Sequence, residues 1–150
     1  MRQVDIGRSV GYALKRTTVA LRAQMDAVLG PLGLSVPQYA CLELLSDRPD
    51  QSNAELARGV FVSRQAMHQL LDGLLAARLV AATGHGRAQR FALTAEGQRR
   101  IEIASSTVAR VEERMLIDLD GPQRALLRAA LDACTHALNT TPADEPAEQR

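Results

Sequence analysis

The segment that most restricts the fold is residues 52–78, where two short helical patterns follow each other with a tight connection between them. The run SNAELARGV opens with a capping box formed by Ser52 and Glu55, which predicts a short helix. Ser63 caps a second helix, SRQAMHQLLDGLLAAR, that ends near Arg78. Two short helices joined by three or four residues have the spacing of a helix-turn-helix, so this segment is expected to fold as one small helical unit.

A β-hairpin is predicted directly after the second helix. The runs LVAAT and AQRFAL are short and β-compatible, and the alternation in the second run places Phe91 and Leu93 on the inner side. The run GHGR between them predicts a turn with its tip at Gly84–Arg87. A helix-turn-helix followed at once by a hairpin is a winged helix. Together with a preceding helix that Ser35 caps, it covers about 34–95.

Helical patterns on both sides of the winged helix are surplus to it. Apolar residues recur with a loose helical spacing over residues 5–29. Thr94 caps a long helix that Gly121–Pro122 breaks, and a last amphipathic helix follows. The apolar stripes of these helices need a cover, and a second copy of the chain is the simplest one. The stripe of the last helix consists of Leu126, Leu127, Ala130, Leu131, Cys134 and Leu138.

The predicted fold class is therefore mainly α with a small β-hairpin wing. We expect one domain, residues 1–139, in which the winged helix-turn-helix is extended by N- and C-terminal dimerisation helices at about 5–30 and 95–139. Residues 140–150 are polar and contain proline, so a flexible tail is expected there.

Charge is unevenly distributed along the 150 residues, although the net charge is only +1. Residues 53–100 contain seven arginines and three acidic residues, a balance of +4. Residues 101–150 contain five arginines and nine acidic residues, a balance of −4. The basic middle of the chain indicates an anionic partner.

Several classes of site are not expected from this sequence. Cys41 and Cys134 are too few for a disulfide framework, and we expect two small buried side chains, with a redox-sensing thiol as the alternative. The histidines have no metal-ligand spacing, and no nucleophile elbow or Gly-rich phosphate loop occurs, so no enzyme activity, metal or cofactor is expected. No stretch approaches the ~20 apolar residues of a membrane span, so a cytoplasmic chain without a membrane partner is expected.

Three runs of this sequence resemble the MarR-type winged-helix transcription regulators. They are LGLSVPQYACLELL, NAELARGVFVSRQAMHQLLDGLLAARLV and RAQRFALTAEG, in that order and spacing, and the resemblance extends from about Asp5 to Leu138. The ending LT-x-x-G after a basic hairpin is the most specific part. The resemblance implies a homodimeric repressor that binds a pseudo-palindromic operator on double-stranded DNA. It also implies that a small aromatic ligand releases the repressor from DNA.

The second helix of the helix-turn-helix is expected to read DNA with its solvent side. Met67, Leu70, Leu71 and Leu74 form the packing face, and the opposite side has short polar groups that can reach base edges in the major groove. The alternative is an ordinary solvated helix start with a serine cap. The resemblance favours DNA recognition and assigns it to these residues: Ser63, Arg64, Gln65, His68 and Gln69.

Three residues of the hairpin complete the predicted DNA contacts. Arg87 is expected to enter the minor groove, which we favour over the alternative of an edge charge that prevents strand aggregation. Arg90 is expected either to contact phosphate or to serve as such an edge charge. The family usually has Asp-x-Arg where this chain has His85-Gly86-Arg87, so Arg87 loses its usual anionic partner and His85 becomes a candidate phosphate contact.

Two other positions depart from the family pattern. The family usually has an arginine where Gln69 stands, which changes the expected base preference. It also has a glycine where Arg78 stands, so we expect the helix to end less sharply here.

The sequence leaves one alternative to the predicted ligand binding and one to the predicted DNA binding. Tyr12 and Tyr39 fall on helices that would line the ligand cleft of the family, but packing in the core with an anchored hydroxyl explains them equally well. The alternative for the whole chain is a winged-helix protein–protein module that has lost specific DNA binding.

Overall fold

The computed structural model describes residues 5–140, which form six α-helices and one two-stranded antiparallel hairpin. This order confirms the predicted winged helix with further helices before and after it. The predicted tail at 140–150 lies outside the described residues, apart from Thr140 at the end of the last helix. In chain order the elements are α1 Val10–Leu29, α2 Val36–Asp47, α3 Asn53–Val60, α4 Arg64–Ala76, β1 Val80–Thr83, β2 Arg90–Leu93, α5 Ala95–Met115 and α6 Gly121–Thr140.

The starts of α2, α3 and α4 agree with the sequence prediction because each is capped by a serine. Ser35 and Ser52 form complete capping boxes with Gln38 and Glu55, in which each partner satisfies the other's backbone N–H. The hydroxyl of Ser63 accepts a hydrogen bond of 3.1 Å from the backbone N–H three residues further on. These local bonds satisfy donors that a helix start leaves without an internal partner.

The outer helices begin and end differently from the prediction. The first helix begins at Val10 and not near residue 5, because Ser9 caps it and a separate 3-10 turn, Ile6–Arg8, precedes it. Likewise, α5 ends at Met115, before the predicted break at Gly121–Pro122, and these two residues begin α6. The cap of α6 is Asp120, and a proline in the first turn costs no hydrogen bond.

The end of α4 is sharp, which makes the expectation of a less sharp end wrong. Arg78 adopts a left-handed conformation with φ of 58°. Its N–H donates to the carbonyl of Leu75, and the N–H of Leu79 donates to the carbonyl of Leu74, each at 3.0 Å. This pair of bonds is the Schellman arrangement that usually requires glycine at this position.

The wing has a longer loop and one more pairing than the sequence indicates. The register runs from Val80 opposite Leu93 to Thr83 opposite Arg90, so residues 84–89 form a six-residue loop. Outside the hairpin, a single bridge joins Gln51 to Phe91. The prediction missed this bridge because one paired residue leaves no alternating pattern.

The hydrophobic core lies among α2, α3, α4, the wing, the end of α1 and the first half of α5. Cys41 is fully buried, as predicted, but Cys134 is exposed on α6, so the expectation of two buried cysteines is half wrong. The chain divides into two compact units, one up to Glu112 and one from Glu113. Among the largest side chains with at most 2% exposure are Leu29, Leu42, Leu45, Leu56, Met67, Leu71 and Leu74.

Candidate nucleic-acid interface

The packing of α4 turns its polar side outward, as predicted. Met67, Leu71 and Leu74 are at most 1% exposed and anchor the helix on the core. The candidate residues at the start of the helix all lie in solvent: Ser63, Arg64, Gln65, His68 and Gln69. The exposed side of the first two turns therefore has one full positive charge and two amide side chains that can both donate and accept hydrogen bonds.

Ser63 has two uses at the start of α4. Its oxygen accepts from the backbone N–H of Ala66, while its hydroxyl hydrogen can still be donated to a phosphate. The helix N-terminus adds backbone N–H groups and a partial positive charge at the same place. This end of α4 therefore favours an anion.

One acidic residue limits the part of α4 that can approach DNA. Asp72 lies one turn after His68, and the His68 Nε2 is 3.9 Å from the Asp72 carboxylate. Both side chains are largely exposed, so solvent screens their interaction strongly. Because a carboxylate repels phosphate, close contact is expected only from the first two turns.

The tip of the wing exposes His85 and Arg87. The loop contains a 3-10 turn, Gly86–Ala88, closed by two backbone hydrogen bonds of 3.1 and 3.2 Å. Gly84 has a φ of 74°, and a Cβ atom at this position would lie 2.8 Å from a backbone oxygen of the same loop. A compact, exposed loop with an arginine is suited to enter a groove of DNA.

Arg90 is not at the tip of the wing. It lies in β2 opposite Thr83, and its side chain is half-buried. Its Nη1 donates to the carbonyl oxygens of Arg87 and Gln89 at 3.3 and 3.1 Å. The structure therefore connects Arg90 with the backbone of the loop, a contact that neither of its two predicted roles included.

Three arginines from different elements line one groove of about 550 Å³, which we call the arginine groove. Arg64 comes from α4, whereas Arg87 and Arg90 come from the wing. Ser52 and Asn53, at the start of α3, line the same groove, although the sequence pattern predicted for them only a place at the start of the helix. No carboxylate side chain is among the lining residues, so the lining itself has a positive charge, and the nearest described carboxylate partner of a lining residue is that of Glu55, which accepts hydrogen bonds from Ser52.

The two tyrosines predicted for a ligand cleft have different surroundings. Tyr39 is half-buried, and its hydroxyl donates to Glu43 at 2.6 Å. Burial and this hydrogen bond raise the pKa of Tyr39 to about 12. Ser105 also donates to Glu43, which joins α2 to α5. Tyr12 is 45% exposed and lines a shallow groove along α1 with Lys15 and Arg16, among other residues.

In the part of the chain that the structure describes, no group of three or more His, Cys, Asp or Glu side chains is arranged to hold a metal ion. Within the same residues, no single helix is long and apolar enough to span a membrane. Only α1 and α2 taken together reach that length and composition, with a bend of 78° between them.

Comparison with known proteins shows similarity to transcriptional repressors. A sequence model of the MarR family matches residues 32–90. The chain is 37% identical over 126 residues to the HTH-type transcriptional repressor Rv2887 of Mycobacterium tuberculosis (strain ATCC 25618 / H37Rv), which covers 82% of this chain and 91% of that repressor.

Two crystal structures of the M. tuberculosis MarR family protein Rv2887 are similar to most of this chain. Its complex with DNA has a TM-score of 0.72 at 36% identity and covers 84% of this chain and 97% of that chain. Its complex with salicylic acid has a TM-score of 0.69 at 36% identity and covers 84% and 96%.

Proposed function

The chain belongs to the MarR family of winged-helix transcription regulators, and we propose that it is a sequence-specific DNA-binding repressor that acts as a homodimer. Its target is double-stranded DNA with a pseudo-palindromic operator, because two identical subunits present the same reading surface twice. We infer a cytoplasmic location from this target and assign no enzymatic activity.

One observation carries this proposal: α4 and the wing present complementary contacts on one side of the winged helix. The start of α4 has Gln65 and Gln69 in solvent, and a glutamine can pair with adenine through two hydrogen bonds in the major groove. The arginine groove lies between the start of α4 and the wing and favours phosphate. Arg87 at the tip of the wing is then the residue for the minor groove.

Salt titrations separate the predicted roles of the helix and the wing. Arg87→Ala should weaken binding to operator and random duplexes, and should lower the slope of log K against log salt by about 0.9 per lost phosphate neutralisation. Gln65→Ala and Gln69→Ala should leave the slope nearly unchanged and cost about 1–3 kcal/mol on the operator only. Operator DNA for this test comes from genomic fragments that the purified protein retains.

Two results of these binding experiments would contradict the proposal. Equal losses on operator and random DNA for the glutamine variants would mean that other residues enter the major groove. If the wild-type protein shifts no duplex DNA even at low salt, the chain is a winged-helix protein-interaction module instead.

Control by a small aromatic ligand is the second part of the proposal. Its support is the salicylic acid complex of the similar protein Rv2887, together with Tyr12 on α1, which precedes the winged helix, and Tyr39 on α2, which is its first helix. A ligand that releases DNA must bind the DNA-incompetent conformation more tightly. Small aromatic acids should therefore raise the melting temperature and weaken operator binding together. A ligand that stabilises the protein without changing operator affinity contradicts this part.

A further inference from the structure

The wing loop exposes Arg87, and among residues 5–140 no acidic side chain forms an ion pair with it. Wings of this family usually place an Asp two residues before this arginine, and this chain has His85 there. The 3-10 turn Gly86–Ala88 has only two backbone hydrogen bonds, and such turns have poorer hydrogen-bond geometry than α-helices. A precise position for Arg87 therefore needs another contact.

The side chain of Arg90 supplies such a contact. Its Nη1 donates to the carbonyl of Arg87 at 3.3 Å and to that of Gln89 at 3.1 Å, so one guanidinium group spans the second half of the turn. Hydrogen bonds from a charged donor are stronger than those between neutral groups. Because Arg90 is half-buried and paired with Thr83 in the ladder, its own backbone is well fixed.

We propose that Arg90 is a positioning residue that holds Arg87 ready for the minor groove by hydrogen bonding the backbone of the wing loop. In this chain, Arg90 then orients Arg87 through the main chain of the loop. In the family, the usual Asp orients this arginine through its guanidinium. This inference rests on the proposed DNA-binding function and adds the residue that preorganises it.

Direct contact of Arg90 with phosphate is the competing account, because Arg90 also lines the arginine groove. The two accounts differ in how Arg87 and Arg90 combine. If Arg90 acts through Arg87, its removal has little left to affect once Arg87 is gone. If Arg90 binds its own phosphate, the two losses add, and each lowers the salt slope by about 0.9 per subunit.

The first test is a double-mutant cycle on operator DNA with Arg87→Ala, Arg90→Ala and the double variant. We expect Arg90→Ala to weaken binding roughly three- to tenfold and the double variant to match Arg87→Ala in both affinity and salt slope. Additive losses would overturn the proposal. Arg110→Ala, which removes one positive charge from an exposed position on α5, is the control and should change affinity less than twofold.

The conservative variant Arg90→Lys tests whether charge alone is sufficient. Lysine keeps the positive charge, but its side chain is shorter and lacks the planar guanidinium. We expect at most partial recovery relative to Arg90→Ala. Full recovery of affinity would show that a charge near phosphate is enough and would overturn the positioning role.

The second test needs no DNA and follows amide hydrogen exchange in the wing of the full chain. The N–H groups of Ala88 and Gln89 donate within the turn, so they should exchange several-fold faster in Arg90→Ala, while Arg87→Ala should leave them unchanged. Unchanged exchange in Arg90→Ala overturns the proposal. If Arg90→Ala does not fold, Arg90→Gln serves for both tests. If the wild type binds no DNA, the proposed function fails, and exchange alone decides whether Arg90 holds the loop.

Discussion

Arg78 adopts a left-handed backbone conformation that is unfavourable for any residue with a β-carbon. It lies just beyond α4 at φ of 58°, where a β-carbon is unfavourable, and yet the helix ends there with both bonds of a Schellman arrangement. The backbone geometry is therefore imposed by the surrounding structure, in which the next residue, Leu79, is buried. Arg78 consequently stores a small amount of strain in the native state.

Replacing Arg78 by glycine should stabilise the protein. A left-handed conformation costs a non-glycine residue about 1–2 kcal/mol, and the greater freedom of glycine in the unfolded chain offsets part of the gain. We expect Arg78→Gly to raise the free energy of unfolding by roughly 0.5–1 kcal/mol in urea titrations. Arg78→Ala keeps the β-carbon and is the control. An equal gain for alanine would show that the side chain of Arg78, and not its backbone, causes the strain.

Cys41 is expected to be chemically inert in the folded protein. Burial raises the pKa of its thiol from 9.0 to about 12, so the reactive thiolate is absent near neutral pH. In Cys134→Ser, where Cys41 is the only thiol, alkylation at pH 8 should be more than about a thousandfold slower in buffer than in denaturing urea. Rapid labelling of the native variant would contradict the buried position.

The raised pKa of Cys41 also has a consequence for stability at alkaline pH. The folded state binds this proton more tightly than the unfolded state, so the contribution is complete below pH 9. It is lost as pH rises from about 9 towards 12, where the unfolded thiol ionises first. Cys41→Ala lacks this contribution and should therefore show a smaller loss of stability over the same pH range.

At the scale of elements, the run LT-x-x-G joins the end of α4 to the start of α5. The hydroxyl of Thr94 donates to the carbonyl of Arg78 at 2.6 Å and accepts from the N–H of Gly97 at 3.0 Å. The N–H of Thr94 donates to the carbonyl of Leu79 at 3.1 Å. One threonine therefore caps α5 and attaches it to the segment that follows α4.

Gly97 permits this close approach, and its replacement should destabilise the fold. A Cβ atom on Gly97 would lie 2.0 Å from the carbonyl oxygen of Leu79. The backbone would have to move to remove this clash. We expect Gly97→Ala to lower the free energy of unfolding by about 3 kcal/mol, at the upper end for overpacking.

Gly121→Ala is the matched control for this prediction. A Cβ atom on Gly121 meets no atom within 4 Å, so this variant should change stability by less than about 1 kcal/mol. Both variants can be compared by thermal and urea unfolding. If Gly97→Ala is as stable as Gly121→Ala, helix α5 does not depend on contact with the segment after α4.

At the scale of the whole molecule, α6 presents an apolar stripe that needs a partner. None of its residues is buried in the single chain, and Leu127 and Leu131 are each 40% exposed. Burial of apolar surface contributes about 25 cal/mol per Å², so the leucines of this stripe favour association with a second copy. This supports the proposed homodimer.

Charge within the stripe should dissociate the proposed homodimer. We expect the double variant Leu127→Glu/Leu131→Glu to sediment at the mass of one chain, because two buried carboxylates per subunit oppose association. Ala129→Glu introduces a carboxylate on the opposite side of α6 and should leave the dimer intact. A dimeric double variant would place the interface elsewhere, and a dissociated control would show that charge on any side of α6 is disruptive.

The sequence by itself determined the starts of the three helices of the winged helix and the solvent-exposed side of α4. Serine caps, capping boxes and the 3.6-residue period join residues at most four apart, so they can be read without the fold. They predicted the starts of α2, α3 and α4, the wing strands, and the exposed positions of Gln65 and Gln69. Ser9 and Asp120 are caps of the same kind that the prediction missed. The apolar pattern over residues 5–29 extended past Ser9, and Gly121–Pro122 was interpreted as a helix break directly after Asp120.

Only the tertiary structure decided which distant residues meet. The arginine groove combines the start of α3, the start of α4 and the wing, and Phe91 pairs with Gln51. The contact of Arg90 with the wing backbone depends on the length of the loop. The run GHGR predicted a turn of four residues, whereas the loop has six. These contacts join backbone groups and long side chains across loops, where no periodic pattern of residue types marks them, so folding and packing alone determine them.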